Sequence, residues 1–241
     1  MCCDIILNES WCIMIKKIKI LLVVLAVISG AILAVLFLQD RTKKLEDREY
    51  KDINTIAVST DKANVNIYKS DNEKVKVVVY GSSKDNVEIV EGTKSITISK
   101  ITGNTKCYLN CKNQVNIYIP DTVSYVDIKT EQGNLTADRY ISRIKINSDS
   151  GNISLQKVQS MNIISKSSNV VVDTIDANRD SSIKLDSGNV DIKNVSKLNL
   201  DAKTEDGSSV IPYIKETQEF TLKIETKKGN INIEHHENKS E

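Results

Sequence analysis

A chain of 241 residues can bury a sizeable core, and its 33 Lys and Arg against 32 Asp and Glu leave a formal charge of only +1. The first 50 residues hold 7 basic and 6 acidic side chains, so 26 of each remain downstream. That balance argues against a nucleic-acid binder, which needs a basic excess to displace counterions from phosphate. Two prolines and an abundance of Ile, Val, Lys, Asn, Ser and Thr point instead to strands joined by polar turns.

In chain order, residues 1–19 are expected to form a short cytoplasmic segment, with Met14 before "IKKIKI" as an alternative start. Residues 20–38, "ILLVVLAVISGAILAVLFL", are 19 in number and carry no charge. As a helix they would span roughly 28 Å, close to the ~30 Å hydrocarbon core of a bilayer. The rival reading is a cleaved signal peptide, with Ser29, Gly30 and Ala31 suiting a peptidase. The apolar run continues for seven residues beyond them, which favours an uncleaved signal-anchor. Lys16, Lys17 and Lys19 on one flank nearly balance Arg41, Lys43, Lys44 and Arg48 on the other. The order of basic cluster, apolar run and polar body favours an inside N-terminus, so the bulk is expected to be extracytoplasmic at the cell membrane.

Residues 39–51 read as a charged linker. Residues 52–120 read as a β region leading into, and capping, the regular coils of the downstream half. Alternating stretches such as "ANVNIYKS", "VKVVVYG", "DNVEIVEG" and "QVNIYIPD" carry that reading. Cys107 and Cys111 lie within it, in "KCYLNCK". In a strand, residues four apart lie roughly 13 Å from each other, too far for a disulfide, whereas a tight turn could close them. Free thiols and a small loop-closing bridge both remain open; an outside location favours the bridge. A zinc site would need two further ligands, and His235 and His236 are the only histidines.

Residues 121–234 repeat a short grammar. Its turns are Gly133-Asn134, Gly151-Asn152, Ser168-Asn169, Gly188-Asn189, Gly207-Ser208 and Gly229-Asn230, at intervals of 18, 17, 20, 19 and 22 residues. Before each turn stands an apolar-polar-apolar triplet, such as Ile144/Ile146 or Ile183/Leu185. After most turns comes another, such as Ile153/Leu155 or Val190/Ile192. Three residues on comes one more apolar position: Tyr140, Val158, Ile175 or Val195. Period-two alternation buries one face of a strand. Near-constant spacing with three inward points per unit predicts an all-β solenoid of the parallel β-helix kind, with coils of about 19 residues. The alternatives are an antiparallel meander or a β-sandwich. "SSVIPYIKETQEF", with Pro212, breaks the grammar and predicts a bulge or outward loop. Residues 235–241 form a polar tail.

Within this grammar Gly133, Gly151, Gly188 and Gly229 are expected to turn the chain. Asn134, Asn152, Asn169, Asn189 and Asn230 are expected to start the next strands and to form a ladder. Two positions before each turn lies a column of Glu131, Asp149, Lys166, Asp186, Glu205 and Lys227. Its acidic pairs could hold calcium, and the plainer reading is a solvated charge ladder. No serine stands with a recognisable base and orienting carboxylate, so neither catalytic residue nor cofactor is expected.

The stretches "INTIAVSTDKANVNIYKSD", "VNIYIPDTVSYVDIKTEQGNLTAD" and the repeated "SGNVDIKNV", behind an N-terminal anchor, resemble the bacterial putative-adhesin domain family over 52–234. The resemblance implies a β-solenoid-like domain exposed on a bacterial envelope, acting in adhesion or envelope-stress signalling. No catalytic residue carries over from it. Cys107, Cys111 and the irregular unit at 207–220 depart from the family pattern. The expected function is therefore a membrane-anchored binding or adhesion module with a protein or cell-wall glycan ligand. The alternatives are a regulatory or scaffold protein working through a membrane partner and, least favoured, a polysaccharide-active β-helix enzyme.

Overall fold

The structure, a computed structural model, describes residues 17–30, 42–102, 113–196, 198–213 and 218–235. The chain divides into two compact units. The first contains a helix over 17–30 with its apolar side chains exposed. No described helix is long and apolar enough to cross a membrane. The remainder of the Ile20–Leu38 run lies outside the described residues, as do Met14, Cys107, Cys111 and His236.

The second unit carries the described strands. The first seven are β1 (Lys43–Tyr50), β2 (Thr55–Thr60), β3 (Asn64–Lys69), β4 (Val75–Gly81), β5 (Asn86–Glu91), β6 (Ser95–Ile101) and β7 (Gln114–Ile119). Next come β8 (Tyr125–Gln132), β9 (Leu135–Ser150), β10 (Ile153–Ser167), β11 (Val170–Asp176), β12 (Ser181–Ser187), β13 (Val190–Ile192) and β14 (Val195–Ser196). The last four are β15 (Leu198–Asp206), β16 (Ser209–Val210), β17 (Phe220–Lys228) and β18 (Ile231–Ile233). Residues 43–50, expected within a charged linker, are thus a strand: β1 pairs antiparallel with β4.

Coil pairs with coil in parallel, which establishes the solenoid over the meander and the sandwich. One side of each coil aligns β6, β2, β8, the second half of β9, the second half of β10, β12, β17 and β15. The next side aligns β7, β3, the first half of β9, the first half of β10, β11, β13, β18 and β16. Alternation points one row of each side inward. Ile98, Val58, Ile128, Ile146, Ile163, Ile183 and Ile224 form one continuous buried ladder, ending on the half-buried Ala202. Burying each such side chain stabilises by about 1.5–3 kcal/mol, which a lone coil cannot accumulate against its ordering entropy.

The coil order departs from the chain order at both ends. The earliest coil, β2 and β3, sits between the coil of β6 and β7 and that of β8 and β9. The last, β17 and β18, sits between β12–β13 and β15–β16. Sequence spacing alone would stack neighbours in succession; instead the outer coils come from inside the chain, and the chain's first and last coils are each clamped on both sides. At the first end, antiparallel β5 covers the edge of β6, and β4 covers the edge of β7.

The third, short side aligns Ile141, Val158, Ile175 and Val195. In the first of these coils the inward residue is Ile141, 1% exposed, rather than the expected Tyr140, which is 38% exposed. A register shift opposite Leu155 and Lys157 gives β9 one extra residue there. The bulge buries Arg139, whose guanidinium donates to the Ile119 and Tyr140 carbonyls and to Asp121.

Polar groups are also buried near the first end. Lys100 is fully buried and pairs with the enclosed Asp85 carboxylate at 2.7 Å, and it donates to Asn113 Oδ1 as well. Beside it, Asp61 accepts from the Thr102 amide and hydroxyl and from the Lys62 amide at 2.6–3.0 Å. Partial burial works to raise the pKa of Asp61, but these donors outweigh it and hold the carboxyl below its ordinary value. A depressed carboxyl contributes stability above its unfolded pKa, and that contribution is lost as pH falls through the folded value. Asp61→Asn should therefore lower the melting temperature at pH 7, and its difference from wild type should shrink once pH drops below about 4. Thermal melts from pH 7 to about pH 2 would show this convergence.

Candidate functional site

Gly151 has φ +126° and Gly188 φ +129°, conformations that residues with a Cβ rarely adopt. A Cβ on Gly151 would collide with the Gly133 carbonyl of the preceding coil, and one on Gly188 with that of Ser168. Gly133 and Gly229 occupy the same place in their coils. Ser168, the non-glycine member, does not share the positive φ of the glycines, and its buried hydroxyl lies 2.6 Å from that of Ser165.

The asparagines one residue on are joined from coil to coil. Asn64 Oδ1 accepts from the Asn134 amide at 2.8 Å, and Asn134 Oδ1 from the Asn152 amide at 2.9 Å. The Asn169 side chain donates to Asn152 Oδ1 at 3.3 Å. Asn169 Oδ1 accepts from the Asn189 amide, Asn189 Oδ1 from Asn230 and Asn230 Oδ1 from Ser208. Most rungs are thus side chain to backbone, and in those the asparagine satisfies the N–H just before the next strand. The rung from Asn189 to Asn230 spans 41 residues, where the coil of β15 and β16 is passed over.

The same reordering settles the charge column. In space its order is Glu131, Asp149, Lys166, Asp186, Lys227, Glu205. Lys166 meets Asp149 at 2.8 Å and Lys227 meets Asp186 at 2.7 Å. The hydrogen bond and charge of Asp149 raise the Lys166 pKa, and those of Lys227 lower that of Asp186. Both pairs are open to water and add little stability. The shallow depression over this column, about 530 Å³, is lined by three lysines (129, 166 and 184) and three carboxylates (Glu131, Asp149 and Asp186). Among the described residues no group of three or more His, Cys, Asp or Glu could hold a metal ion.

A second groove, about 630 Å³, opens where the strands of the first side begin. It crosses β8, β9, β10, β12 and β17. Arg143, Lys145 and Lys223 line it against a single carboxylate, Asp180. The Arg143 guanidinium lies 4.4 Å from the centre of the Tyr125 ring. Asp180 is occupied by the fold, accepting from the Thr221 amide at 2.8 Å. Asn162 and Ser182 stand between the cations, the hydroxyl donating to the amide oxygen at 3.3 Å. Burial raises the Tyr125 pKa first, and the neighbouring Asp127 raises it further.

With this geometry the chain can be placed among known proteins. The family model described as Toastrack DUF4097 matches residues 53–241. The chain belongs to the Toastrack family. The adhesin-family resemblance read from the sequence falls on the same stretch. Solved structures similar to this Toastrack chain include a putative cell adhesion protein from Clostridium sporogenes, at 14% identity and TM-score 0.44, covering 79% of this chain and 100% of that one. A putative adhesin from Bacteroides fragilis has 18% identity and TM-score 0.43, covering 79% and 97%. One from Parabacteroides merdae has 10% identity and TM-score 0.43, covering 82% and 97%. The comparison with curated proteins finds no match.

Sequence reasoning missed the second groove. Arg143 and Lys145 lie on β9 and Lys223 on β17, far apart in the chain, and no local spacing joins them. The turn column of this Toastrack chain, by contrast, is occupied with holding coil to coil. Gly188→Ala should therefore cost about 1–3 kcal/mol through backbone strain and the carbonyl collision. Asn189→Ala should cost nearer 1 kcal/mol, for the one hydrogen bond its side chain accepts from the Asn230 amide. Urea unfolding of both variants checks the ranking.

Proposed function

We propose that this chain is a membrane-anchored, extracytoplasmic binding module of the bacterial cell envelope, with no enzymatic activity. The observation that carries the reading is the second groove: Arg143, Lys145, Asn162 and Lys223 stand on rigid strands and face outward, while the turn residues are consumed by the scaffold. Residues that fix a fold are paired inward, whereas these side chains have capacity left for a ligand. The anchor rests on the uncharged run Ile20–Leu38 and its flanking lysines. The reading of no enzymatic activity is supported by the groove's lining, which carries no histidine and no cysteine. His235, the one described histidine, lies elsewhere, with Nδ1 2.7 Å from the Val195 carbonyl.

Cells producing the full chain test the reading in two parts. Protease added to intact cells should remove residues 42–235, and isolated cell-wall material should retain the detergent-solubilised chain. Digestion only after permeabilisation would overturn the location. Failure of wall material to retain the chain, with a co-purifying membrane protein instead, would favour the regulatory alternative.

A further inference from the structure

We infer that the groove over Tyr125 and Arg143 takes a linear polyanion with a hydroxylated backbone, lying along the solenoid axis. This deepens the binding-module reading and rests on it. The groove crosses successive coils instead of following one strand, and strands in a sheet stand ~4.8 Å apart, so from β8 to β17 it runs roughly 19 Å. A ligand filling it is rod-like and meets one coil after another.

The downstream body of the chain is electrically balanced, yet this groove sets three cations against one carboxylate that is already bonded within the fold. Arg143 is exposed and, among the described residues, has no carboxylate partner. The Tyr125 ring holds its guanidinium from one side and leaves the planar fork free to grip an anionic oxygen. Lys145 is held only loosely, 3.6 Å from Asp127. Lys223 pairs with Glu225 at 2.7 Å in an exposed contact that an incoming anion can exchange at little cost. Three coil steps separate the Arg143 strand from that of Lys223, roughly 14 Å, so a single small anion cannot engage both.

The stretch between the cations presents Asn162 and Ser182, and Asn162 Nδ2 has no partner among the described residues. Donors and hydroxyls in that position match the hydroxyls of a sugar or polyol backbone and would leave an apolar chain unsatisfied. A carboxylated glycan and a phosphodiester-linked polyol share this chemistry.

The test uses the full chain in detergent micelles with three fluorescent oligomers: an oligogalacturonate, an oligo(glycerol phosphate) and the neutral cello-oligosaccharide. At least one anionic probe should bind, more weakly as salt rises from about 0.05 to 0.5 M, and the neutral probe should not. Whichever anionic probe binds tighter identifies carboxylate or phosphodiester as the source. The double variant Arg143→Gln/Lys223→Gln should lose about tenfold or more in affinity. Asn162→Asp, which puts a negative charge mid-groove, should lose a similar factor and serves if the double variant melts early. Lys166→Gln/Lys193→Gln, removing two exposed lysines elsewhere, should stay within about twofold of wild type. Equal losses in that control, equal binding of the neutral probe, or no binding by either polyanion would overturn the inference.

Discussion

The close approach of one coil's turn to the next is the constraint on which the rest of this molecule depends. Backbone carbonyl meets backbone at the glycine column with no room for a Cβ, and the asparagine beside it accepts from the N–H just before the neighbouring strand. Fixing the turn fixes the register of the strands on either side of it. Register then decides which residues face the core, because a slip of one residue would invert every side chain. The buried isoleucine ladder and the outward rows of charge are two consequences of the same stacked turn.

Threading at the ends turns that stack into a platform. A solenoid whose coils follow chain order can fray from its termini, where each last coil has one neighbour. Here the first and last coils each have two, and the outermost layers are drawn from within the chain. The threading also shapes the groove. β17 lies against β12, so Lys223 stands beside Ser182. Were the coils stacked in chain order, Asp201 of β15 would occupy that place and the excess of positive charge would be reduced. Fold and proposed site are therefore linked through a single choice of neighbour.

Much of the scaffold is legible in the sequence. Gly151, Asn152, Gly188 and Asn189 announce themselves because their roles are local: a positive φ, a close backbone contact, a side-chain amide at a strand start. Alternation at Ile144/Ile146 or Ile183/Leu185 is likewise local. Coil order is not legible, since every coil uses the same grammar and nothing in "LNLDAKTED" says that it must lie outside "FTLKIETKK". The third inward position slips from Tyr140 to Ile141 because a one-residue bulge depends on the strand opposite. The β1 segment hides its strand behind charge, with Asp47, Arg48 and Glu49 masking the pairing with β4. The groove is invisible for the same physical reason as the coil order: Tyr125, Arg143, Asn162 and Lys223 meet only through non-local pairing.

The most direct test of the account is the identity of β12's neighbour. In a chain whose native cysteines are replaced by serine, Ser182→Cys/Lys223→Cys should form a disulfide under mild oxidation, since paired positions on adjacent parallel strands fall within reach of the bond. Ser182→Cys/Asp201→Cys should not, its positions lying two strand spacings, roughly 10 Å, apart. A disulfide in the second variant and none in the first would place the coils in chain order and contradict both the threaded stack and the groove built upon it.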